Sequence, residues 1–179
     1  ANHADSSMYV LSRNTQGFLS RDQQVTYTGL AGLSDARFTP DGRHVLTTAR
    51  GTNPKTLSVF ERRQPDPLFA FMESERDGDF VAGTSGDQVD GLLGASALVM
   101  SHNGEHIYAT GLGSDAVVQF KRDKDKGSVP ATASEHLTFE HSYFNNFGNF
   151  TGLADLDSIA ITPNDQFVFV ASSDQSTLT

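Results

Sequence analysis

Four aspartates hold comparable places in this sequence: Asp35, Asp90, Asp155 and Asp157 each lie close to the start of an apolar run. Carboxylates gathered from separate segments can hold a cation, or raise one pKa enough for general acid/base work. Turn capping by aspartate accounts for each of them singly. A second acidic group, Glu75-Arg76-Asp77-Gly78-Asp79 with Asp87 and Asp90, puts oxygen donors on a connecting segment. Asp77, Asp79 and Asp87 are the side chains a calcium ion would take there. A third group, His141 to Phe150, interleaves aromatic rings with amides. Tyr143 and Asn145 in it are candidate ligand contacts, because a stacking face beside a paired donor and acceptor suits a carbohydrate or peptide-like ligand. Rings filling the space between neighbouring structural units are the other reading of the same segment.

Three further patterns imitate known sites. His102-Asn103-Gly104-Glu105-His106 has the spacing of an inverted zinc-protease motif, which works only on a helix, whereas Asn-Gly at its centre makes a hairpin turn. Gly111-Leu112-Gly113-Ser114-Asp115-Ala116 imitates a dinucleotide fingerprint, but such a loop must open a helix and Val117-Val118-Gln119-Phe120 follows as strand. Asp123-Lys124-Asp125-Lys126-Gly127 has only the start of a calcium loop and reads as a solvated hairpin. The absence of cysteine excludes a thiol nucleophile, thiolate zinc and disulfides from the chain, and no Gly-x-Ser-x-Gly elbow occurs.

The segments that must position these residues repeat. Gly29-Leu30-Ala31-Gly32, Gly91-Leu92-Leu93-Gly94 and Gly152-Leu153-Ala154-Asp155 open similar stretches, with Leu30, Leu92 and Leu153 spaced 62 and then 61 residues apart. Each opening leads to an apolar run, a turn (Thr39-Pro40-Asp41-Gly42, Ser101-His102-Asn103-Gly104, Thr162-Pro163-Asn164-Asp165) and a second apolar run. In the second unit Ala97–Ser101, His106–Thr110, Ala116–Lys121 and His136–Glu140 read as four strands of an antiparallel meander. In the first unit the strands fall at Ala36–Thr39, His44–Ala49, Leu57–Glu61 and Leu68–Glu73, with a turn at Gln64-Pro65-Asp66-Pro67. The third unit shows its first two strands, Ser158–Thr162 and Phe167–Ala171. Near the N-terminus, Met8-Tyr9-Val10-Leu11 reads as a second strand and Gly17–Asp22 as a third with its hairpin.

Tandem four-stranded antiparallel units are the signature of β-propeller blades, and the fold class expected is all-β. The divisions are a partial blade over 1–28, blades over 29–88 and 89–150, and the first half of a further blade over 151–179. About three blades are too few to close a ring. The remaining blades must come from a longer chain or another subunit, and they are the expected partners. In a propeller the starts of the innermost strands cluster at one mouth of the channel, where ligands commonly bind, and this makes Asp35, Asp90, Asp155 and Asp157 candidate ligand-binding residues.

A net charge of −9 repels a nucleic-acid backbone, and no segment has the unbroken apolar length of a membrane helix. The N-terminal Ala1-Asn2-His3-Ala4-Asp5 lacks the basic and apolar regions of a signal peptide, so one has been removed or the segment was cut from something longer.

From Gly94 through His102-Asn103-Gly104-Glu105-His106-Ile107-Tyr108-Ala109 to Asp115-Ala116-Val117-Val118-Gln119-Phe120-Lys121-Arg122-Asp123, the chain resembles the bacterial lactonase-like, YVTN-type β-propeller repeat. The resemblance extends over roughly residues 29 to 179 and is specific for fold. It implies an exported, secreted or periplasmic, protein. That family includes both sugar-lactone hydrolases and propellers without catalytic activity, so two functions are expected: binding of a small-molecule or protein ligand through one face of the ring, or lactone hydrolysis in the channel, assisted by a divalent cation.

Overall fold

The computed structural model describes residues 6–51, 56–63, 68–81, 85–124, 136–173 and 177–178. Its elements are β-strands and one short 3-10 turn at Thr28–Leu30, and among the described residues no helix is long and apolar enough to cross a membrane. The first complete sheet runs β3 (Leu33–Phe38), β4 (His44–Ala49), β5 (Thr56–Arg63) and β6 (Leu68–Arg76); the second runs β7 (Ala95–Met100), β8 (His106–Gly111), β9 (Ala116–Arg122) and β10 (Leu137–Phe144). Every neighbouring pair is antiparallel, so each sheet is a meander of four strands in chain order. A third sheet holds β11 (Leu156–Ile161), β12 (Val168–Ser172) and β13 (Thr177–Leu178), and β1 (Ser7–Arg13) pairs with β2 (Leu19–Thr26) as a two-stranded ribbon. The Gln64–Pro67 and Asp125–Gly127 connections expected from the sequence lie outside the described residues.

The turn between the first two strands of each sheet is built the same way three times. Thr39, Ser101 and Thr162 each accept the backbone N–H of the residue that resumes the chain, at 3.0 Å (His44), 2.9 Å (His106) and 3.1 Å (Phe167). Asp41, Asn103 and Asn164 each accept the N–H two residues on, at 3.0, 3.0 and 3.2 Å. The Ser/Thr-x-Asp/Asn pattern legible in the sequence is therefore a side-chain-closed turn. His102 and His106 stand on such a turn and the strand after it, where the inverted zinc motif has no helix to share.

Apolar clusters lie between sheets. Leu46, Leu57 and Val59 of the first sheet face Leu98, Ile107, Val118 and Phe120 of the second; Ala97 and Val117 face Leu156, Ile159 and Val170 of the third. Met8 and Val25 of the ribbon face Leu33, Val45, Phe60 and Phe69 of the first. The first and second sheets are thus covered on both sides by their neighbours, and the innermost strands β3, β7 and β11 lie side by side in that order. This radial stacking is that of a propeller, drawn here as an arc.

The N-terminal ribbon departs from its sequence reading. β2 feeds through the 3-10 turn straight into β3, as β6 and β10 feed into β7 and β11, so β2 is a fourth strand and β1 a third. Ser7-Met8-Tyr9-Val10-Leu11-Ser12-Arg13 accordingly aligns with Ala116-Val117-Val118-Gln119-Phe120-Lys121-Arg122 of β9, and buried Met8 takes the place of buried Val117. The fourth strand of the second sheet also runs on to Phe144, so His141 and Tyr143 are strand residues.

Candidate functional site

Antiparallel order puts the starts of β3, β7 and β11 and the ends of β4, β8 and β12 on one rim of the arc. The backbone there is nearly invariant between units. Arg50 N donates to Gly32 O at 2.9 Å, Leu112 N to Gly94 O at 3.2 Å and Ser173 N to Asp155 O at 3.3 Å. Gly32, Gly94 and Asp155 share the left-handed conformation, with φ of +72°, +69° and +49°. Aspartate is among the few side chains that tolerate it, so Asp155 first of all replaces a turn glycine.

Side chains vary upon this constant frame. At the second position of the innermost strand, Ser34 donates to Ala95 O of the next sheet at 2.8 Å and bonds the Thr48 hydroxyl at 3.0 Å. Ser96 repeats the device, to Leu156 O and to the Thr110 hydroxyl, both at 2.7 Å. The third unit abandons it. Asp157 stands in place of serine and Ala171 in place of threonine, leaving the carboxylate about two-fifths exposed. Its partner is the Arg50 guanidinium at 3.6 Å, itself 40% exposed. Arg50 belongs to the first sheet and Asp157 to the third, so the pair reaches past β7 along the mouth of the arc. Arg50 was not among the residues picked out by sequence. The signal for it was present, since the aligned positions read Arg50, Leu112 and Ser173.

The other expected residues divide by what their side chains hold. Asp35 lies on the same rim, where its carboxylate accepts Ala36 N at 2.8 Å, Leu98 N of the next sheet at 3.2 Å and Arg37 Nε at 3.2 Å. It ties the first two sheets together and pairs with Arg37 two residues further along β3. Asp90 is exposed and its backbone carbonyl accepts the Ser142 hydroxyl; the structure does not bring it to Asp157. Tyr143 packs on the cluster between the second and third sheets, with its hydroxyl 2.8 Å from Gln119 Oε1 and its ring 5.0 Å from that of Phe150. Asn145 Oδ1 accepts Leu153 N at 3.1 Å.

Asp77 does in the first connection what Asn145 does in the second: its Oδ1 accepts Gly91 N at 2.9 Å and Leu92 N at 3.0 Å. The neutral amide of Asn145 performs the equivalent cap, so this role needs no cation. Asp79 Oδ2 accepts Arg76 N at 3.1 Å, and Asp87 contributes its carbonyl to Val81 N at 2.9 Å. Among the described residues no three acidic or histidine side chains come together as a set that could hold a metal ion.

The opposite rim carries the most strongly perturbed groups. Arg122, at the end of β9 and with a side chain only 2% exposed, donates to Asp41 Oδ2 at 2.8 Å, to His44 Nδ1 at 3.0 Å and to Gly104 O at 3.4 Å. The His136 ring lies 5.4 Å from that of His44. Burial, then the neighbouring Arg122 charge and then His136, push His44 down to about 4. Hydrogen bonds from Thr39, Arg122 and Arg43 outweigh burial at Asp41 and hold it well below the usual carboxylate range. With Arg122 donating to Nδ1, His44 is neutral and protonated at Nε2. This cluster fastens the first sheet to the second through buried hydrogen bonds.

No protein-family description matches the sequence, and no curated relative does. Solved structures do match in fold. A 6-phosphogluconolactonase candidate from Bacteroides uniformis superposes with a TM-score of 0.64 at 16% identity, over 97% of this chain and 50% of its own. The Pseudomonas aeruginosa periplasmic gluconolactonase gives 0.58 at 15% identity, over 96% and 48%. The β-propeller domain of Cps50 (Swd1) from Myceliophteria thermophila gives 0.64 at 12% identity, over 97% and 49%. The likeness establishes a β-propeller fold shared with lactonase-like proteins, and the chain spans about half the length of these structures.

Proposed function

We propose that the chain forms part of an exported propeller that binds a small polar ligand at the channel mouth, over the starts of β3, β7 and β11. The observation that carries this reading is the Arg50–Asp157 pair at 3.6 Å, standing where the other two units keep a serine locked to a threonine and to the next sheet. Two charged side chains left half in water on an otherwise repeated frame contribute little to stability, because exposed ion pairs are worth about 0–1 kcal/mol. Polar groups kept at a concave mouth without a structural task suit recognition. Export rests on the repeat resemblance and on the periplasmic protein among the fold neighbours.

A second reading, opening of a sugar lactone, draws support from the two neighbours named for that activity. In it Asp157 would take the proton of an attacking water and Arg50 would steady the developing oxyanion. The test is a pH-stat assay of δ-gluconolactone on the complete ring, with and without calcium, beside NMR titration of the mouth residues. Shifts at Arg50 and Asp157 without turnover support binding alone. Turnover lost in Asp157→Asn supports hydrolysis, and unperturbed mouth residues without turnover refute both.

A further inference from the structure

We infer that the mouth recognises an anion, a carboxylate or phosphate group on a hydroxylated small molecule, and that Asp157 is a built-in competitor for the same guanidinium. This rests on the ligand-binding reading above and adds the chemical class of the ligand and the order of exchange.

The argument starts from donors. A guanidinium carries five N–H groups in a planar fork matched to a carboxylate or phosphate edge. Arg50 approaches Asp157 to 3.6 Å, longer than a hydrogen bond, and no side-chain hydrogen bond holds it among the described residues. Arg122 on the opposite rim shows what a committed guanidinium looks like in this protein: a side chain 2% exposed and bonds to a carboxylate, an imidazole and a carbonyl. Arg50 has the charge without the commitment.

Position supports the same assignment. Arg50 N is fixed to Gly32 O at 2.9 Å and Gly51 N to Ala31 O at 3.1 Å, so the root of the side chain is anchored while its tip stays in solvent. In a chain of net charge −9, an exposed arginine at the channel mouth runs against the overall field. An incoming anion therefore meets attraction locally and repulsion elsewhere, which is how charge confers selectivity more than raw affinity. With no ligand bound, Asp157 neutralises Arg50. A bound anion takes over the fork and leaves the Asp157 carboxylate to accept a ligand hydroxyl.

The experiment titrates the complete ring with three probes: D-gluconate, D-glucitol as its uncharged counterpart, and inorganic phosphate. The readouts are calorimetry and the Arg50 Nε–H resonance, assigned from its disappearance in Arg50→Lys. Gluconate and phosphate should move that resonance and glucitol should not. Arg50→Ala should weaken gluconate at least about tenfold, the cost of a charge-assisted hydrogen-bonded pair. Asp157→Asn should tighten phosphate by about threefold to fivefold, because it removes a competitor worth no more than an exposed ion pair. A role confined to structure would not produce that gain. Glucitol binding as well as gluconate, with Arg50→Ala without effect, overturns the anion assignment while leaving ligand binding at the mouth intact. Phosphate weakened by Asp157→Asn overturns the competitor role, and no response to any probe overturns both readings.

Discussion

Acidification should loosen the first sheet from the second through His44. This imidazole is 5% exposed, accepts from Arg122 at Nδ1 and faces Asp41, Glu61 and His136. Its pKa falls from 6.5 to about 4 on folding. Between those two values the unfolded chain binds a proton that the folded chain refuses, so stability rises with pH across the window and falls on acidification. The contribution is complete above about pH 6.5 and is lost progressively down to about pH 4. At 1.36 kcal/mol per pKa unit the full window is worth about 3 kcal/mol, a large fraction of the 5–15 kcal/mol that holds a typical domain folded. Asp41 adds a separate loss at lower pH: its folded pKa is depressed, so its contribution is present above about pH 3.8 and disappears below it. The two windows adjoin without overlapping. The assay is urea unfolding at a series of pH values on the wild type and on His44→Gln, whose amide oxygen can accept from Arg122 but does not titrate. The wild type should lose about 3 kcal/mol between pH 6.5 and 4, and the variant should lose markedly less over the same interval. Equal slopes in the two proteins would refute the assignment of the window to His44, and a flat wild-type profile would refute the burial argument itself.

Two further outcomes test the repeated architecture. Ser96→Ala removes a buried hydroxyl that donates to Leu156 O and bonds Thr110, and should cost about 1–3 kcal/mol in urea unfolding because buried partners lose their mate. Asp77→Asn should change stability by less than about 0.5 kcal/mol, with or without millimolar calcium, since Asn145 performs the equivalent cap as a neutral amide; a strong calcium-dependent loss would restore a metal to that loop.

Much of the fold was legible because it is written as a period. Leu30, Leu92 and Leu153 are each buried at the same point of successive units, and the Ser/Thr-x-Asp/Asn turns close through their own side chains. The N-terminal ribbon stands one strand further out than its sequence suggests, since Met8-Tyr9-Val10-Leu11 has the alternation of any half-buried strand. Its rank in the sheet follows from what it pairs with: Asn14 Oδ1 accepts Gln16 N and Phe18 N to close the β1–β2 turn, and β2 then runs into β3.

For the site, the sequence alone determined where the innermost strands start, because apolar runs and turns recur at a fixed spacing, and it showed aspartates near those starts at differing positions of the repeat, Asp155 aligning with Gly32 and Gly94 and Asp157 with Ser34 and Ser96. Tertiary structure decided which of those carboxylates are already engaged. Asp35 is bound to a backbone N–H 63 residues away, whereas Asp157 meets, among the described residues, an arginine from two sheets back. A hydrogen bond or ion pair depends on distances of about 3–4 Å between groups far apart in the chain, and local periodicity carries no information about those until the sheets have stacked.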